Sequence, residues 1–242
     1  MSALAATAAA SDGPLLRLGW DGILAGTPVQ GVSERPRRVG PGASPNVYVG
    51  GASFVSPPNA LVFDFADFDG MKPNAWGYHA VALPEAPSNA WAELSICFRA
   101  GSGAVSGQIR GFYDLPGQGL DGVKRAWPVV WLEFGDRFTA VAEQPLRSKR
   151  RIDVGAVVPG AWHRATVRLP PPGATNAVGT ATLERMEADG AFGKAGEAPI
   201  PFGNLVLRSA ASFVLTGSRR AFFLFDDLEW RTLPHTTQEN TP

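Results

Sequence analysis

Apolar and polar side chains alternate along several short stretches of the chain, and each stretch predicts a β-strand with one packed face. In residues 91–99 the apolar positions are Leu94, Ile96 and Phe98. Residues 127–135 repeat the pattern with Val130, Leu132 and Phe134. A period of two is that of a strand, whose successive side chains point to opposite faces. About a dozen such stretches, without an amphipathic helix, predict an all-β fold: a two-sheet antiparallel jelly-roll β-sandwich.

The stretch Arg220–Arg231 is the most aromatic of these and predicts the last strand. Its alternation places Phe223 and Phe225 on one side. Asp226 and Asp227 interrupt it, although a carboxylate is costly to bury unless something pairs with it. Because neighbouring strand residues face opposite ways, we expect these two aspartates to point to different faces.

The composition excludes several classes of partner. Lys plus Arg and Asp plus Glu are 22 each, so no net field attracts nucleic acid or an anionic membrane. No apolar run approaches the roughly 20 residues that a membrane-spanning helix needs.

The single cysteine, Cys97, excludes an internal disulfide framework and predicts a half-buried structural thiol. The 28 glycines and 21 prolines are spread along the chain, as expected for many strands and turns.

The sequence predicts a chain of three parts. We expect residues 1–13 to be an alanine-rich flexible leader, 14–232 a single jelly-roll domain, and 233–242 a polar tail. Small residues ending near Ala-x-Ala are typical of a secretory cleavage site, which predicts a secreted or periplasmic protein whose signal peptide has been trimmed. An ordinary disordered leader is the alternative.

Three local patterns, in this order, resemble the concanavalin A-like lectin/glucanase superfamily, the LamG-like jelly rolls. Ser56–Phe63 is similar to a strand opening of many bacterial members, Val158–Val167 to their G-x-W-H/Y turn and strand, and Phe225–Trp230 to their closing h-D-D-h-x-h strand. The resemblance spans residues from about 15 to 232. It implies two stacked antiparallel sheets, one of them concave and often bearing a carbohydrate site.

The catalytic motifs of the superfamily are not found. The Glu-x-Asp-x-x-Glu strand of laminarinase-type hydrolases is absent, and 97–101 only distantly resembles one of three alginate-lyase strands. Since a fold does not supply a reaction, we predict a non-catalytic domain that binds polysaccharide on the concave face. The alternatives are a polysaccharide hydrolase or lyase of the same fold and a structural or adhesive domain that binds a protein.

The predicted ligand site combines side chains from three stretches, 91–99, 108–114 and 127–134. If these strands are neighbours, one sheet face presents an aromatic platform for a sugar ring together with groups that bind hydroxyls or uronate carboxylates. The candidates are Glu93, Arg99, Arg110, Tyr113, Trp131 and Glu133. In an enzyme, Glu93 and Glu133, or His79, would act as acid and base. The alternative is that Trp131 packs in the core and the charges form ordinary cross-strand pairs.

No cofactor is required by these patterns, but the resemblance allows a structural calcium ion. Related folds hold it with a carboxylate on the last strand and oxygens from the N-terminal segment, here Asp226 and Asp21. A salt bridge from the aspartate pair to Arg17 or Arg231, or simple exposure of Asp227, are the other interpretations. With three histidines and no His-x-His, a zinc site is not expected.

Overall fold

The structure, a computed structural model, describes residues 14–20, 47–51, 53–65, 77–114, 126–143, 149–203, 206–217 and 220–233. These residues form fourteen strands and contain no helix, hence none that could cross a membrane. The strands are β1 (Pro14–Leu18), β2 (Val47–Gly50), β3 (Ala60–Asp64), β4 (Gly77–Ala82), β5 (Trp91–Ser102), β6 (Val105–Asp114), β7 (Ala126–Phe134), β8 (Arg137–Glu143), β9 (Lys149–Ala156), β10 (Trp162–Leu169), β11 (Val178–Met186), β12 (Phe192–Pro201), β13 (Val206–Gly217) and β14 (Phe222–Leu233). The all-β prediction is confirmed.

The strands form two antiparallel sheets that pack face to face. The eight-stranded sheet has the order β12-β11-β10-β5-β14-β3-β2, and β1 pairs with the second half of β14. The six-stranded sheet has the order β4-β13-β6-β7-β8-β9. This arrangement is the predicted two-sheet jelly-roll sandwich.

The core between the sheets is largely aromatic. Phe98 and Phe225 of the eight-stranded sheet pack edge-on against Phe134 of the six-stranded sheet, with ring centroids 4.8 and 5.7 Å apart. Edge-to-face aromatic pairs at these distances contribute about 0.5–1.5 kcal/mol beyond the burial of their area. The inward positions of the alternating stretches therefore hold the two sheets together.

The connection between β5 and β6 leads from one sheet to the other, so these two strands are not the neighbours that the predicted ligand site requires. β5 pairs with β10 and β14, whereas β6 pairs with β7 and β13, so the chain changes sheets at this point. Gly103 makes the tight passage with a φ of 73°, and a side chain there would overlap the backbone of Arg220. Glycine meets both demands because it lacks a Cβ.

One strand, β12, was not predicted from the sequence. It contains Gly193, Gly196, Pro199 and Pro201, residues that normally argue against a strand interior. The strand lies at the edge of the eight-stranded sheet, where a missing N–H donor is tolerated because only one side is paired. The position in the sheet overrides the local propensity.

The last strand contains a β-bulge at the aspartate pair. The register with β5 shifts between Asp226 and Glu229, and Asp227 has a φ of 43°. Phe223 and Phe225 point into the core before the bulge, and Leu228 and Trp230 do so after it. The bulge thus inserts one residue, and the prediction that the two aspartates face opposite ways is wrong.

The edges of the two sheets approach most closely at β9 and β12. A Cβ on Gly196 would overlap the carbonyl oxygen of Val154 and lie 3.2 Å from Cα of Gly155. Both neighbours are backbone, which cannot rotate away as a flexible side chain could. Two glycines therefore let the sandwich close along this side.

We predict that Gly196→Ala lowers the free energy of unfolding by about 1–3 kcal/mol, because overpacking a close contact forces backbone shifts. Gly135→Ala is the matched control, since the nearest neighbour of its added Cβ would be 3.8 Å away. It should change stability by less than about 0.5 kcal/mol. Chemical denaturation of both variants measures the difference, and equal stabilities would contradict the packing argument.

Candidate functional site

The predicted site residues lie on two different faces of the sandwich. Glu93 and Arg99 point outward from β5 in the eight-stranded sheet, whereas Arg110, Trp131 and Glu133 point outward from β6 and β7 in the six-stranded sheet. The expectation that the three strands are neighbours is wrong for β5, because the chain changes sheets after Ser102. Tyr113 belongs to β6, but its side chain lies outside the described part of the structure.

His79 lies inside the sandwich, away from both outer faces. It is opposite Leu215 in the register of β4 and β13, is only 8% exposed, and its ring meets that of Trp20 edge-on with centroids 6.0 Å apart. Burial lowers the pKa of His79 to about 4. Glu93, Glu133 and His79, proposed above as an acid–base set, therefore lie in three separate places.

The outer face of the six-stranded sheet carries a half-buried tryptophan in a row of buried side chains. Trp131 lies between Gln108 of β6 and Val141 of β8, and Val214 of β13 follows Gln108 in the same row. Val141, Val214 and Gln108 are at most 7% exposed although they point outward. Trp131 keeps intermediate exposure. The alternative that Trp131 packs in the central core is excluded, because Val130 and Leu132 take the inward positions.

Polar groups surround this tryptophan on the same face. The amide oxygen Oε1 of Gln108 accepts hydrogen bonds from Nε and Nη2 of Arg110 at 3.3 and 3.1 Å. Glu133 forms an ion pair with Arg151 of β9. We call the surface formed by Gln108, Arg110, Trp131, Glu133 and Arg151 the tryptophan face.

The outer face of the eight-stranded sheet carries a shallow groove of about 680 Å³, which we call the polar groove. Its floor crosses the strands through the hydroxyl side chains of Ser95, Thr166 and Thr182, which are opposite one another in the register. Glu93 lies at the rim and is one of the predicted ligand residues. Arg99 is not a lining residue; its Nη1 donates a hydrogen bond of 2.7 Å to Oγ of Ser53.

Asp226 ties the segment 53–56 onto this face of the sheet. Its Oδ2 accepts hydrogen bonds from the backbone N–H groups of Val55 and Ser56 at 2.8 and 2.9 Å, and its Oδ1 accepts one from Asp227 at 2.8 Å. Asp227 accepts the hydroxyl hydrogen of Ser56 at 2.9 Å. The two aspartates act together on one segment, which the bulge makes geometrically feasible.

Arg231, one of the two predicted salt-bridge partners of the aspartate pair, pairs with other carboxylates. Arg231 pairs with Glu93, and its Nη1 lies 3.8 Å from Glu229. Asp227 is half-buried rather than simply exposed.

The calcium prediction depends on Asp21, which lies outside the described residues. At Asp226, three backbone N–H groups donate hydrogen bonds to the two carboxylate oxygens. These donors stand where a cation would lie if the carboxylate were a calcium ligand. Among the described residues no three His, Cys, Asp or Glu side chains form a cluster suited to a metal ion.

Two further buried titratable groups, His163 and Cys97, have structural roles. Nε2 of His163 accepts the N–H of Val158 at 3.2 Å, Nδ1 lies 3.1 Å from the carbonyl oxygen of Ala161, and the ring stacks on Phe98. Burial lowers the pKa of His163. Burial also raises the pKa of the Cys97 thiol to about 12, so it stays protonated at neutral pH, in agreement with the structural role predicted for it.

Sequence reasoning missed Gln108 on the tryptophan face and the hydroxyl floor of the polar groove. Gln108 shares the alternation of β6 with Arg110, so the outward side of that strand could have included it. Thr166 and Thr182 lie on different strands, and only the pairing of β10 with β5 and β11 brings them into one line with Ser95.

Comparison with known proteins identifies the architecture. No family model and no curated protein matches the sequence. Among solved structures, the marine PL-14 alginate lyase from Aplysia kurodai is similar with a TM-score of 0.52 and 11% identity over 91% of this chain and 100% of that one. The chain has the concanavalin A-like jelly-roll fold.

Two further solved structures are less similar to the chain. A peanut lectin has a TM-score of 0.42 at 11% identity over 90% of this chain and 97% of that one. The CBM22-1 xylan-binding domain of Xyn10C from Paenibacillus barcinonensis has a TM-score of 0.36 at 11% identity, covering 93% and 97%. At these identities the similarity concerns the fold, and the function must be argued from the residues of this chain.

The carboxyl group of Asp226 predicts a specific pH dependence of stability. Desolvation by burial raises its pKa from 3.8 to about 6, and the nearby Asp227 acts in the same direction. The three amide hydrogen bonds act to lower the pKa. The folded state therefore holds the proton more tightly than the unfolded state does. The stabilising contribution is complete below about pH 4 and is lost as the pH rises through about 6.

We predict that the melting temperature of the wild type, minus that of Asp226→Asn, falls as the pH rises from 4 to 6 and is constant above about pH 7. His79 and His163 have lowered pKa values and act in the opposite direction, but both proteins contain them, so the difference isolates Asp226. Thermal unfolding by circular dichroism across this range measures it. A difference that stays constant or rises between pH 4 and 6 would disprove the raised pKa.

Proposed function

We propose that the protein is a non-catalytic polysaccharide-binding domain of an exported protein and that the tryptophan face is its ligand site. The observation that carries the proposal is the position of Trp131, a half-buried tryptophan that points outward from the six-stranded sheet between Gln108 and Val141. We assign this face to the concave, carbohydrate-bearing sheet that the resemblance implies.

The chemistry of the face suits a sugar chain. An indole ring offers a flat apolar surface to the C–H side of a pyranose ring. Gln108 and Arg110 supply hydrogen-bond donors beside it, and Glu133 supplies acceptors. Trp131 and Glu133 belong to one rigid strand, and Gln108 and Arg110 belong to its neighbour, so little side-chain order must be gained on binding.

Binding is favoured over turnover by the separation of the ionisable groups. Glycoside hydrolysis uses two carboxyl groups on either side of one bond, at most about 9.5 Å apart. Glu93 and Glu133 lie on opposite outer faces of the sandwich and cannot flank one bond. Glu133 is paired with Arg151, and His79 lies in the core.

We predict that Trp131→Ala lowers the affinity for the bound polysaccharide at least tenfold, equivalent to about 1.4 kcal/mol, because the stacking platform is removed. Trp91→Ala is the matched control: Trp91 is also a half-buried strand tryptophan, but it lies on the eight-stranded sheet. Affinity electrophoresis in gels containing a series of polysaccharides measures the binding of each variant. Equal retardation of the wild type and Trp131→Ala on every polysaccharide would contradict the assignment.

Turnover is tested on the same polysaccharides. Release of reducing ends or of unsaturated uronates should stay at the background level for the wild type. Turnover that Glu133→Gln abolishes would replace the proposal with the enzyme alternative. Absence of binding to every polysaccharide would favour the structural or adhesive alternative, in which the partner is a protein.

A further inference from the structure

The polar groove on the eight-stranded sheet has a floor of hydroxyl groups that runs across the strands. Ser95 of β5, Thr166 of β10 and Thr182 of β11 are consecutive partners in the register, and each retains intermediate exposure. Glu197 of β12 continues this row at one end and Glu229 of β14 at the other. Small side chains in the middle of a row leave a depression between longer side chains on both sides.

Ion pairs form the first wall of the groove. Glu93, with its side chain only 9% exposed, lies between Arg168 and Arg231. Its Oε2 is 3.3 Å from Nε of Arg168, and its Oε1 accepts a hydrogen bond of 2.8 Å from Nε of Arg231. A buried carboxylate between two guanidinium groups is held in place, and both arginines keep further N–H groups that can donate to a ligand.

The second wall is built differently but is held as firmly. Nη1 of Arg164 lies 3.3 Å from Oε2 of Glu184, and its guanidinium group lies 4.1 Å from the centre of the Phe192 ring. Val55 continues this wall, and Asp226 fixes Val55 through its backbone N–H. The groove therefore has fixed sides before any ligand binds.

The charges that line the groove nearly cancel. Four arginines and five carboxylate side chains are among its described lining residues, a formal balance of −1. A chain of carboxylates or sulfates would gain no net attraction here and would compete with Glu93 and Glu184 for their arginines. Uncharged hydroxyl groups can instead donate to the carboxylates and accept from the arginines without breaking an ion pair.

We propose that the polar groove is a second binding site, for an uncharged polysaccharide chain that lies across the strands. The row from β12 through β14 to β1 crosses about five interstrand spacings, roughly 24 Å at ~4.8 Å each. This length accommodates several sugar units of an extended chain. The site is independent of the tryptophan face, which lies on the other sheet.

The experiment fills the floor of the groove. Thr166→Tyr places a large side chain where the sugar would lie, and Thr182→Tyr does so on the next strand, so one variant remains if the other folds poorly. Tyrosine is a favourable residue on an exposed strand face. Both changes are made in the wild type and in the Trp131→Ala background, and circular dichroism confirms the fold. Calorimetric titration uses uncharged hexasaccharides of glucan, xylan and mannan, with an oligouronate of equal length for comparison.

In the Trp131→Ala background we expect one uncharged hexasaccharide to bind with one-to-one stoichiometry and more tightly than the oligouronate. Thr166→Tyr or Thr182→Tyr should then weaken that binding at least tenfold. Loss of all binding in folded Trp131→Ala, or unchanged residual binding in folded tyrosine variants, would overturn the second site and leave the proposed function standing. Trp131→Ala alone could leave binding intact while Thr166→Tyr or Thr182→Tyr alone abolishes it. That result would support the polar groove as a ligand site and disprove the tryptophan face. No binding by the wild type would overturn both.

Discussion

The carboxylate of Asp226 is fully buried, and the arrangement of the eight-stranded sheet depends on how it is satisfied. An ionised carboxylate in an apolar environment is costly unless donors surround it. Three backbone N–H groups supply them, two from Val55 and Ser56 and one from Asp227. The third comes from the bulge itself, where Asp227 takes a left-handed conformation that aspartate tolerates better than most residues. The bulge and the buried carboxylate thus support each other.

The shift of one residue at this bulge sets both surfaces of β14. Beyond it, Leu228 and Trp230 enter the core, and Nε1 of Trp230 donates a 2.9 Å hydrogen bond to the carbonyl oxygen of Pro84. Glu229 and Arg231 consequently face outward, beside Ser95 and Glu93. If the strand instead alternated regularly through Asp227, these charges would point into the sandwich and the two apolar side chains into solvent, since a slip of one position reverses every side chain. The polar groove therefore exists because of the bulge.

The sequence allowed most of the architecture to be predicted, because alternation over a whole strand depends only on which side chains are apolar. β5 and β10 follow it from end to end. Prediction failed where the outcome depends on long-range pairing. The alternation of β14 was read straight through Asp226, although the bulge forms to satisfy that carboxylate with Val55 and Ser56, 170 residues or more away in sequence. β12 is a strand because β11 offers it an edge, despite its glycines and prolines.

The same limit explains the divided candidate site. Glu93 lies on β5 and Arg110 on β6, and a short glycine-rich connection joins the two strands. In a single sheet this connection would make β5 and β6 neighbours. In a sandwich such a connection can also lead from one sheet to the other, and no local signal distinguishes the two. Trp131 and Glu133 lie on the same sheet face as Arg110, as predicted, because β6 and β7 pair directly. Residues of one paired set of strands could thus be grouped from sequence, whereas residues on either side of a sheet crossing could not.

This division also bears on the chemistry that the fold can support. The two outer faces carry different kinds of polar surface: a tryptophan with amide and guanidinium groups on one, and a hydroxyl floor between ion pairs on the other. Each is built on paired strands, so its side chains are held in place by register rather than by a mobile loop. Each also commits its best-placed carboxylate to arginine, Glu133 to Arg151 and Glu93 to Arg168 and Arg231. Such surfaces are suited to holding a polymer by many fixed hydrogen bonds, and less suited to breaking it.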